Sequence, residues 1–185
     1  MTRAVLFAIA FLLPSCTTTT PARFAAPEPT GDPLTDSALL LAASEAAPDA
    51  AAREPFLARL DAAGVRAAEG AADDPLGAWQ RERGDAQVFR GRALGPAYRR
   101  ATIAPGSTVR LEQNFLAGQR AEIAAAANGG EALTLSVRDR KDAAVCSEPF
   151  APAAKCRWLP LFTERYSIEL ANRGTTPASV YLVFR

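Results

Sequence analysis

The sequence predicts a mainly β protein, with short helices followed by a small C-terminal antiparallel β-sandwich of about seven strands. From about residue 88 onward, apolar and polar residues alternate with the period of two that a half-buried strand requires. Turn-forming residues recur there about every ten positions, a spacing typical of sandwiches and barrels. Residues 34–84 instead show helical spacing, interrupted by prolines and glycines.

Composition narrows the range of functions. The 185 residues allow one domain, or one small domain plus an extension. The sequence has no histidine, which excludes Ser-His-Asp triads, Cys-His dyads and His-ligated zinc. Its 21 Lys and Arg residues face 20 Asp and Glu residues, and this balance argues against a dedicated nucleic-acid binder.

Residues 1–15 have the layout of a secretory signal peptide. Arg3 precedes an apolar run over residues 4–13, whose ten residues span only about 15 Å as a helix, half of a bilayer core. The run leads into Leu13-Pro14-Ser15-Cys16, which resembles the lipobox of bacterial lipoprotein precursors. The resemblance implies cleavage before Cys16 and acylation of that cysteine, with palmitate among the added chains. The alternative is an ordinary secretory signal with an incidental cysteine.

The segment after the lipobox predicts a tether. Residues 16–33 are rich in Thr and Pro and poor in large apolar side chains, so they cannot bury enough surface to offset the entropy of ordering. By resemblance to enterobacterial sorting, Thr17 in place of Asp favours the outer membrane, facing the periplasm. Cleavage would remove Arg3 from the 21 basic residues and leave 20 against 20 acidic ones, a neutral chain.

Residues 34–87 are predicted to form short helices that pack on the β domain. The first helix begins at Thr35 or Asp36, the second follows Pro55, and the third begins at residues 73–74. Adjacent carboxylates at a helix start are explained by capping and need no acid-base role.

Residues 88–185 are predicted to form the β-sandwich. Asn128-Gly129-Gly130 predicts a β-hairpin, and residues 172–174 predict a turn into the last strand. The predicted strands include residues 109–115, 121–123, 133–138, 158–161, 166–170 and 180–184. Cys146 and Cys156, the pair left beside Cys16, predict a disulfide in an oxidising compartment, worth about 2–3 kcal/mol.

Five short pieces stand in order along the C-terminal half, at residues 105–107, 115–119, 133–139, 163–170 and 181–184. In this order and spacing they resemble the pre-peptidase C-terminal domain, over roughly residues 98–185. The resemblance implies a small jelly-roll-like sandwich. Because some members of that family bind calcium, it also makes Asp139 and Asp142 a weak calcium candidate, with a polar turn as the alternative. No other metal site and no cofactor is predicted.

An arginine-rich stretch joins the helices to the sandwich. Residues 81–100 hold six arginines against Glu82 and Asp85. One interpretation is a surface for an anionic partner such as phospholipid head groups, an acidic polysaccharide or an acidic protein. The other has arginines pairing with the acidic helices of residues 34–70. The arginines proposed for the partner surface are Arg90, Arg92, Arg99 and Arg100.

Together these features predict a lipid-anchored envelope lipoprotein that acts as a non-catalytic binding or scaffold module in the periplasm. Its expected partners are the membrane, through the anchor, and an envelope protein or polysaccharide. The alternative is a small envelope enzyme or enzyme accessory that acts on glycans through Asp, Glu and Arg. Lys141 and Lys155 are the only lysines, so a Ser-Lys dyad would require one of them to be buried beside a serine.

Overall fold

The computed structural model of this chain describes residues 25–84 and 95–185. Within them, two sheets of five and four strands pack face to face and three helices cover one of the sheets, so the predicted mainly β sandwich is confirmed. Eight of the nine described strands lie between residues 97 and 184, where about seven were predicted. The helices are α1 (Pro33–Ala46), α2 (Ala50–Ala62) and α3 (Pro75–Arg83), and the strands are β1 (Arg66–Ala67), β2 (Ala97–Ile103), β3 (Thr108–Phe115), β4 (Ala121–Gly129), β5 (Leu133–Arg138), β6 (Ala144–Pro149), β7 (Ala153–Trp158), β8 (Glu164–Asn172) and β9 (Ala178–Phe184).

The helix starts follow their capping carboxylates. Asp32 accepts a hydrogen bond from the backbone N–H of Thr35 at 2.9 Å, so α1 begins at Pro33 and the predicted start at Thr35 or Asp36 is wrong. Asp49 caps α2, which begins before Pro55 and includes it. Asp74 caps α3 in the predicted place. Among the described residues, no helix is long and apolar enough to cross a bilayer.

The strands alternate between the two sheets. The five-stranded sheet has the order β1-β2-β9-β4-β7 and the four-stranded sheet the order β3-β8-β5-β6. The prediction of a hairpin at Asn128-Gly129-Gly130 is wrong, because β4 pairs with β7 and β9 whereas β5 pairs with β6 and β8. The two glycines have positive φ angles, which suit a corner between sheets as well as a hairpin turn. Among the described strands, two pairs are consecutive in the chain and adjacent in one sheet: β1 with β2, and β5 with β6.

The region around the cysteines differs from the prediction. Strand β6 is an edge strand that is mostly exposed, so it lacks the alternating apolar pattern that would have revealed it. Trp158 ends β7, and Leu159 and Leu161 lie in an exposed loop, so the predicted strand over residues 158–161 is wrong. Apolar residues usually predict burial, but in this loop the fold leaves the side chains of Leu159 and Leu161 exposed to solvent.

The five-stranded sheet is buried on both faces. Its inner face packs against the four-stranded sheet around Ile123, Leu135 and Leu182, and its outer face packs under the helices. Along β4, Ala124 and Ala126 face the helices, and both are fully buried. Because their side chains are so small, α1 can lie close against the strand.

The predicted disulfide is confirmed and joins the two sheets. Cys146 lies in β6, at the edge of the four-stranded sheet, and Cys156 lies in β7, at the edge of the five-stranded sheet. Their Cα atoms are 5.9 Å apart. The bridge therefore closes one side of the sandwich, and the side formed by β1, β2 and β3 has no such link.

Asp32 links α1 to the sheet as well as capping the helix. Its carboxylate forms an ion pair with Lys155 in β7. Burial by itself raises the pKa of Asp32, but the hydrogen bonds from Lys155 and Thr35 outweigh it and lower the pKa from 3.8 to about 2. Because the pKa is lower in the folded state, this contribution to stability is present above about pH 4 and is lost as the pH falls towards about 2.

We expect Asp32→Asn to keep the helix cap and to lose the ion pair. Its free energy of unfolding should be about 1–2 kcal/mol lower than that of the unchanged chain at about pH 7. Asp32→Ala should lose about 1 kcal/mol more, because alanine cannot cap. Urea unfolding between about pH 7 and pH 2.5 measures both. A deficit of Asp32→Asn that stays constant with pH would show that the ion pair contributes nothing.

Candidate functional site

A polar groove of about 600 Å³ opens on the side of the sandwich away from the disulfide. It lies where the β1–β2 edge of the five-stranded sheet faces the β3 edge of the four-stranded sheet. Three arginines, from β1, β2 and β8, line it together with two glutamates and two side-chain amides, and we call it the arginine groove. These residues are Arg66, Arg99, Arg165, Glu69, Glu112, Gln113 and Asn114.

Arg99 reaches the groove from the inner face of β2. Its Nη2 donates to the backbone carbonyl oxygen of Glu69 at 3.4 Å, and its buried Nε makes no hydrogen bond within residues 25–84 and 95–185. Because guanidinium groups bind carboxylates through parallel N–H donors, the part of Arg99 that lines the groove suits a carboxylate ligand.

Arg165 lies across the groove on β8 and forms an ion pair with Glu112 at 3.0 Å. Both side chains are more than half exposed, so the pair contributes at most about 1 kcal/mol and can open for a competing anion. Gln113 and Asn114 stand beside it with amide groups that both donate and accept hydrogen bonds. The groove therefore combines cationic groups with the hydrogen-bonding groups that suit hydroxyls.

Of the four arginines predicted to meet an anionic partner, the structure describes two. Arg99 lies in the arginine groove, whereas Arg100 points to the opposite face of β2 because side chains alternate along a strand. Arg100 forms ion pairs with Glu45 of α1 and Asp73, and it hydrogen-bonds to Ser179 Oγ at 2.9 Å. It is therefore a link between the helices and the sheet. Arg90 and Arg92 lie outside the described residues, as do Cys16 and residues 1–15.

The sequence did not single out Arg66 and Arg165 as partners of Arg99. Arg66 lies in a two-residue strand, and Arg165 occupies an ordinary alternating position in β8. They are 99 positions apart in the chain, and only the pairing of β1 with β2 and of β8 with β3 brings them to one groove. No local motif contains this information.

A second concave surface lies at one end of the sandwich. Three loops meet there, formed by residues 116–120, 139–143 and 159–163, and we call this region the loop end. A cleft of about 590 Å³ between the last two loops has Trp158 and Tyr166 among its lining residues, together with Leu159, Leu161 and Phe162. Burial raises the pKa of Tyr166, so its hydroxyl is neutral at physiological pH.

Asp139 and Asp142, the calcium candidates, flank the turn between β5 and β6. Asp139 Oδ1 accepts hydrogen bonds from the backbone N–H groups of Lys141 and Ala143, at 2.9 and 2.8 Å. Asp142 lies 3.9 Å from the Arg138 guanidinium. The carboxylates thus take part in an ordinary polar turn. Among the residues that the structure describes, no three Asp, Glu or Cys side chains group together as a metal site would require.

The buried carboxylate of Glu122 serves the fold. Its side chain is 1% exposed and forms ion pairs with Arg157 and Arg185. Burial by itself raises the pKa of Glu122, but the hydrogen bond and charge of Arg185, with Lys155 and Arg157, hold the pKa below its ordinary value. Lys155 is taken up by Asp32, and Lys141 is exposed, so neither lysine lies buried beside a serine.

No family model and no curated protein matches the sequence. The fold is similar to the pre-peptidase C-terminal domain of a collagenase from Bacillus anthracis (11% identity, TM-score 0.41, 49% of this chain and 89% of that one). It is also similar to PliG of Aeromonas hydrophila, a periplasmic inhibitor of g-type lysozyme (15% identity, TM-score 0.39, 53% and 93%). A third similar structure is the CBM36-1 domain of a xylanase from the hindgut metagenome of Trinervitermes trinervoides (15% identity, TM-score 0.32, 45% and 75%). These likenesses concern the arrangement of strands.

Proposed function

We propose that this protein is a lipid-anchored lipoprotein of the bacterial cell envelope, most simply of the outer membrane facing the periplasm, and that it is a non-catalytic binding module. Its ligand on this proposal is a polysaccharide that carries carboxylate groups. The observation that supports it is the convergence of Arg66, Arg99 and Arg165 on one open groove.

The chemistry of the arginine groove favours a glycan over an acidic protein. Its lining is mostly polar, and Gln113 and Asn114 offer partners for sugar hydroxyls, whereas protein interfaces usually have an apolar core. Guanidinium groups match the planar carboxylate of a uronic acid. An open groove also lets a long chain pass through and bind at internal sugars.

We expect Arg99→Gln to weaken binding of polygalacturonate at least about tenfold, because a charge-assisted hydrogen bond is lost. The matched control is Arg173→Gln, which removes an exposed arginine at a distant turn and should leave affinity unchanged. Isothermal titration with polygalacturonate, and with uncharged dextran as the neutral glycan, measures the difference. Equal affinity of both variants, or equal binding of dextran, would contradict this assignment of the groove.

If the protein is instead an enzyme that acts on glycans, its catalytic carboxylates would be expected in the arginine groove. Glu69 and Glu112 both line the groove, and a glycosidase would need one carboxylate as an acid and the other as a base or nucleophile. Glu112 is instead paired with Arg165. Hydrolysis of polygalacturonate by the purified chain that disappears in Glu69→Gln or Glu112→Gln would replace the binding proposal with an enzymatic one.

The anchor is tested separately at Cys16. The lipobox resemblance implies three acyl chains on Cys16, which would make anchorage effectively permanent, so we expect Cys16→Ser to move the protein from the membrane fraction to the soluble or uncleaved fraction. Mass spectrometry of the mature N-terminus should show the acyl chains on the unchanged protein. If Cys16→Ser stays in the membrane fraction with the same mass, the lipobox interpretation is wrong.

A further inference from the structure

The loop end carries an unusual exposed apolar surface. Within residues 25–84 and 95–185, the exposed large apolar side chains are four, and all of them lie in two loops at this end. Single exposed apolar residues are common on the surfaces of soluble proteins, but a cluster of four at one end of the fold indicates an interaction site. The four are Leu116 (51% exposed), Leu159 (60%), Leu161 (80%) and Phe162 (71%).

The two loops are held to each other. The backbone N–H of Gly118 donates to the carbonyl oxygen of Pro160 at 2.9 Å, and that of Ala117 donates to Thr163 Oγ1 at 3.0 Å. Gly118 has a positive φ of 71°, which lets the chain turn back towards Pro160. The apolar side chains are therefore presented from a fixed backbone.

Unpaired cations surround these apolar side chains. Arg120, Arg140 and Lys141 are exposed and make no ion pair within the described part of the chain. The carboxylate of Asp139 is taken up by backbone N–H groups, and Asp142 leans towards Arg138. Glu164 in the cleft and the exposed Asp142 remain as acidic groups against three exposed basic ones, so the outer rim of the loop end carries a net positive charge.

We propose that the loop end docks onto an anionic bilayer surface. Leu159, Leu161 and Phe162 enter the boundary between head groups and acyl chains, and Arg140 and Lys141 bind lipid phosphates. Apolar residues that enter the interface beside basic residues that meet anionic head groups are the pattern of interfacial membrane binding.

A bilayer fits this surface better than a protein partner. Leu161 and Phe162 are exposed over more than two thirds of their surface at the tip of one loop, whereas a protein interface packs a broad patch with an apolar core. The inference rests on the proposed envelope location for its relevance in the cell. An N-terminal anchor would keep the loop end near lipid and raise its effective concentration there.

The test places a tryptophan in the loop. The full chain, as cells produce it, carries Leu161→Trp and is mixed with vesicles of phosphatidylcholine and phosphatidylglycerol that contain brominated acyl chains. We expect its emission, relative to the unsubstituted chain, to shift to the blue and to be quenched at least about twofold. The matched control, Arg173→Trp, lies at a distant turn and should show neither change.

A second pair of variants tests the charges. When added to Leu161→Trp, the changes Arg140→Gln and Lys141→Gln should remove at least about half of the quenching by brominated lipid, because the loop is then held less firmly at the anionic surface. The pair Arg81→Gln and Arg173→Gln, which removes the same charge from other exposed sites, should leave the quenching unchanged. Vesicles of phosphatidylcholine alone, which carry no net charge, should cause the same loss of quenching in Leu161→Trp without any change of charge in the protein.

Two outcomes would overturn docking. One is the absence of quenching at Leu161→Trp, and the other is a blue shift without lipid that grows with protein concentration, which would indicate self-association. Mass spectrometry of Cys16 in the same sample reports on the anchor independently, so a failure of the anchor and a failure of docking can be told apart.

Discussion

Replacing Phe56 with alanine should lower the free energy of unfolding by about 3–5 kcal/mol, the usual cost of a large cavity in a core. Phe56 lies in α2, is 0% exposed, and belongs to the cluster that fills the space between the helices and the outer face of the sheet. That cluster includes Tyr98 of β2 and Val183 of β9, so the cavity would open against the sandwich. Thermal and urea unfolding, followed by far-ultraviolet circular dichroism, measure the loss.

The matched control is Phe162→Ala, which removes the same side chain from a position that is 71% exposed and should change stability by less than about 0.5 kcal/mol. Helix and strand signals should be lost together in both variants, because α1 and α2 share their core with β4 and β9. If Phe56→Ala instead melts the helices alone and leaves the β signal at its original midpoint, the helical layer is a separate unit.

Removing the disulfide has the second large expected effect. The double variant Cys146→Ala and Cys156→Ala should lose about 2–4 kcal/mol, since the bridge restricts the unfolded chain and its loss leaves a gap at the fully buried Cys156. Because the bridge joins edge strands of different sheets, the side of the sandwich formed by β6 and β7 should loosen first. Hydrogen exchange of the β6 and β7 amides would report this.

Reduction of the unchanged chain provides the control. A thiol reductant should move its unfolding midpoint towards that of the double variant and should leave the double variant unaffected. Free alkylation of both cysteines without reductant, or an unchanged midpoint in the double variant, would show that the bridge does not form or does not stabilise the fold.

The two surfaces have complementary roles on these proposals. The arginine groove opens on the side without the disulfide, and the loop end projects from one end of the sandwich. Arg165 lies on β8 close to both, one residue from Glu164 of the cleft. A module that docks by its loop end could therefore hold a glycan beside the membrane surface.

Several elements could be read directly from the sequence because their determinants are local. The third helix begins where Asp74 and Pro75 predict it, and β3 and β5 follow the alternation of apolar and polar residues. The disulfide followed from the number of cysteines and their expected compartment. These predictions required only short stretches of chain.

Other predictions were wrong because the same local sequence pattern occurs in more than one kind of structure. Glycines at residues 129–130 serve a corner between sheets, and the apolar residues at 159 and 161 are exposed in a loop. The mostly exposed strand β6 has no apolar alternation to detect. Arg99 and Arg100 looked equivalent in the sequence, yet alternation along β2 sends one into the groove and the other to Glu45.

The sequence by itself determined the mainly β class, the start of the third helix at Asp74 and the cysteine pair, since each depends on neighbours in the chain or on a simple count. Tertiary structure alone decided which strands share a sheet, and with that which side chains share a surface. Arg66, Arg99 and Arg165 come from three strands, and the cluster at the loop end comes from two loops. The physical reason is that burial of both faces of the five-stranded sheet selects one pairing of strands, and that selection depends on all the strands and helices at once.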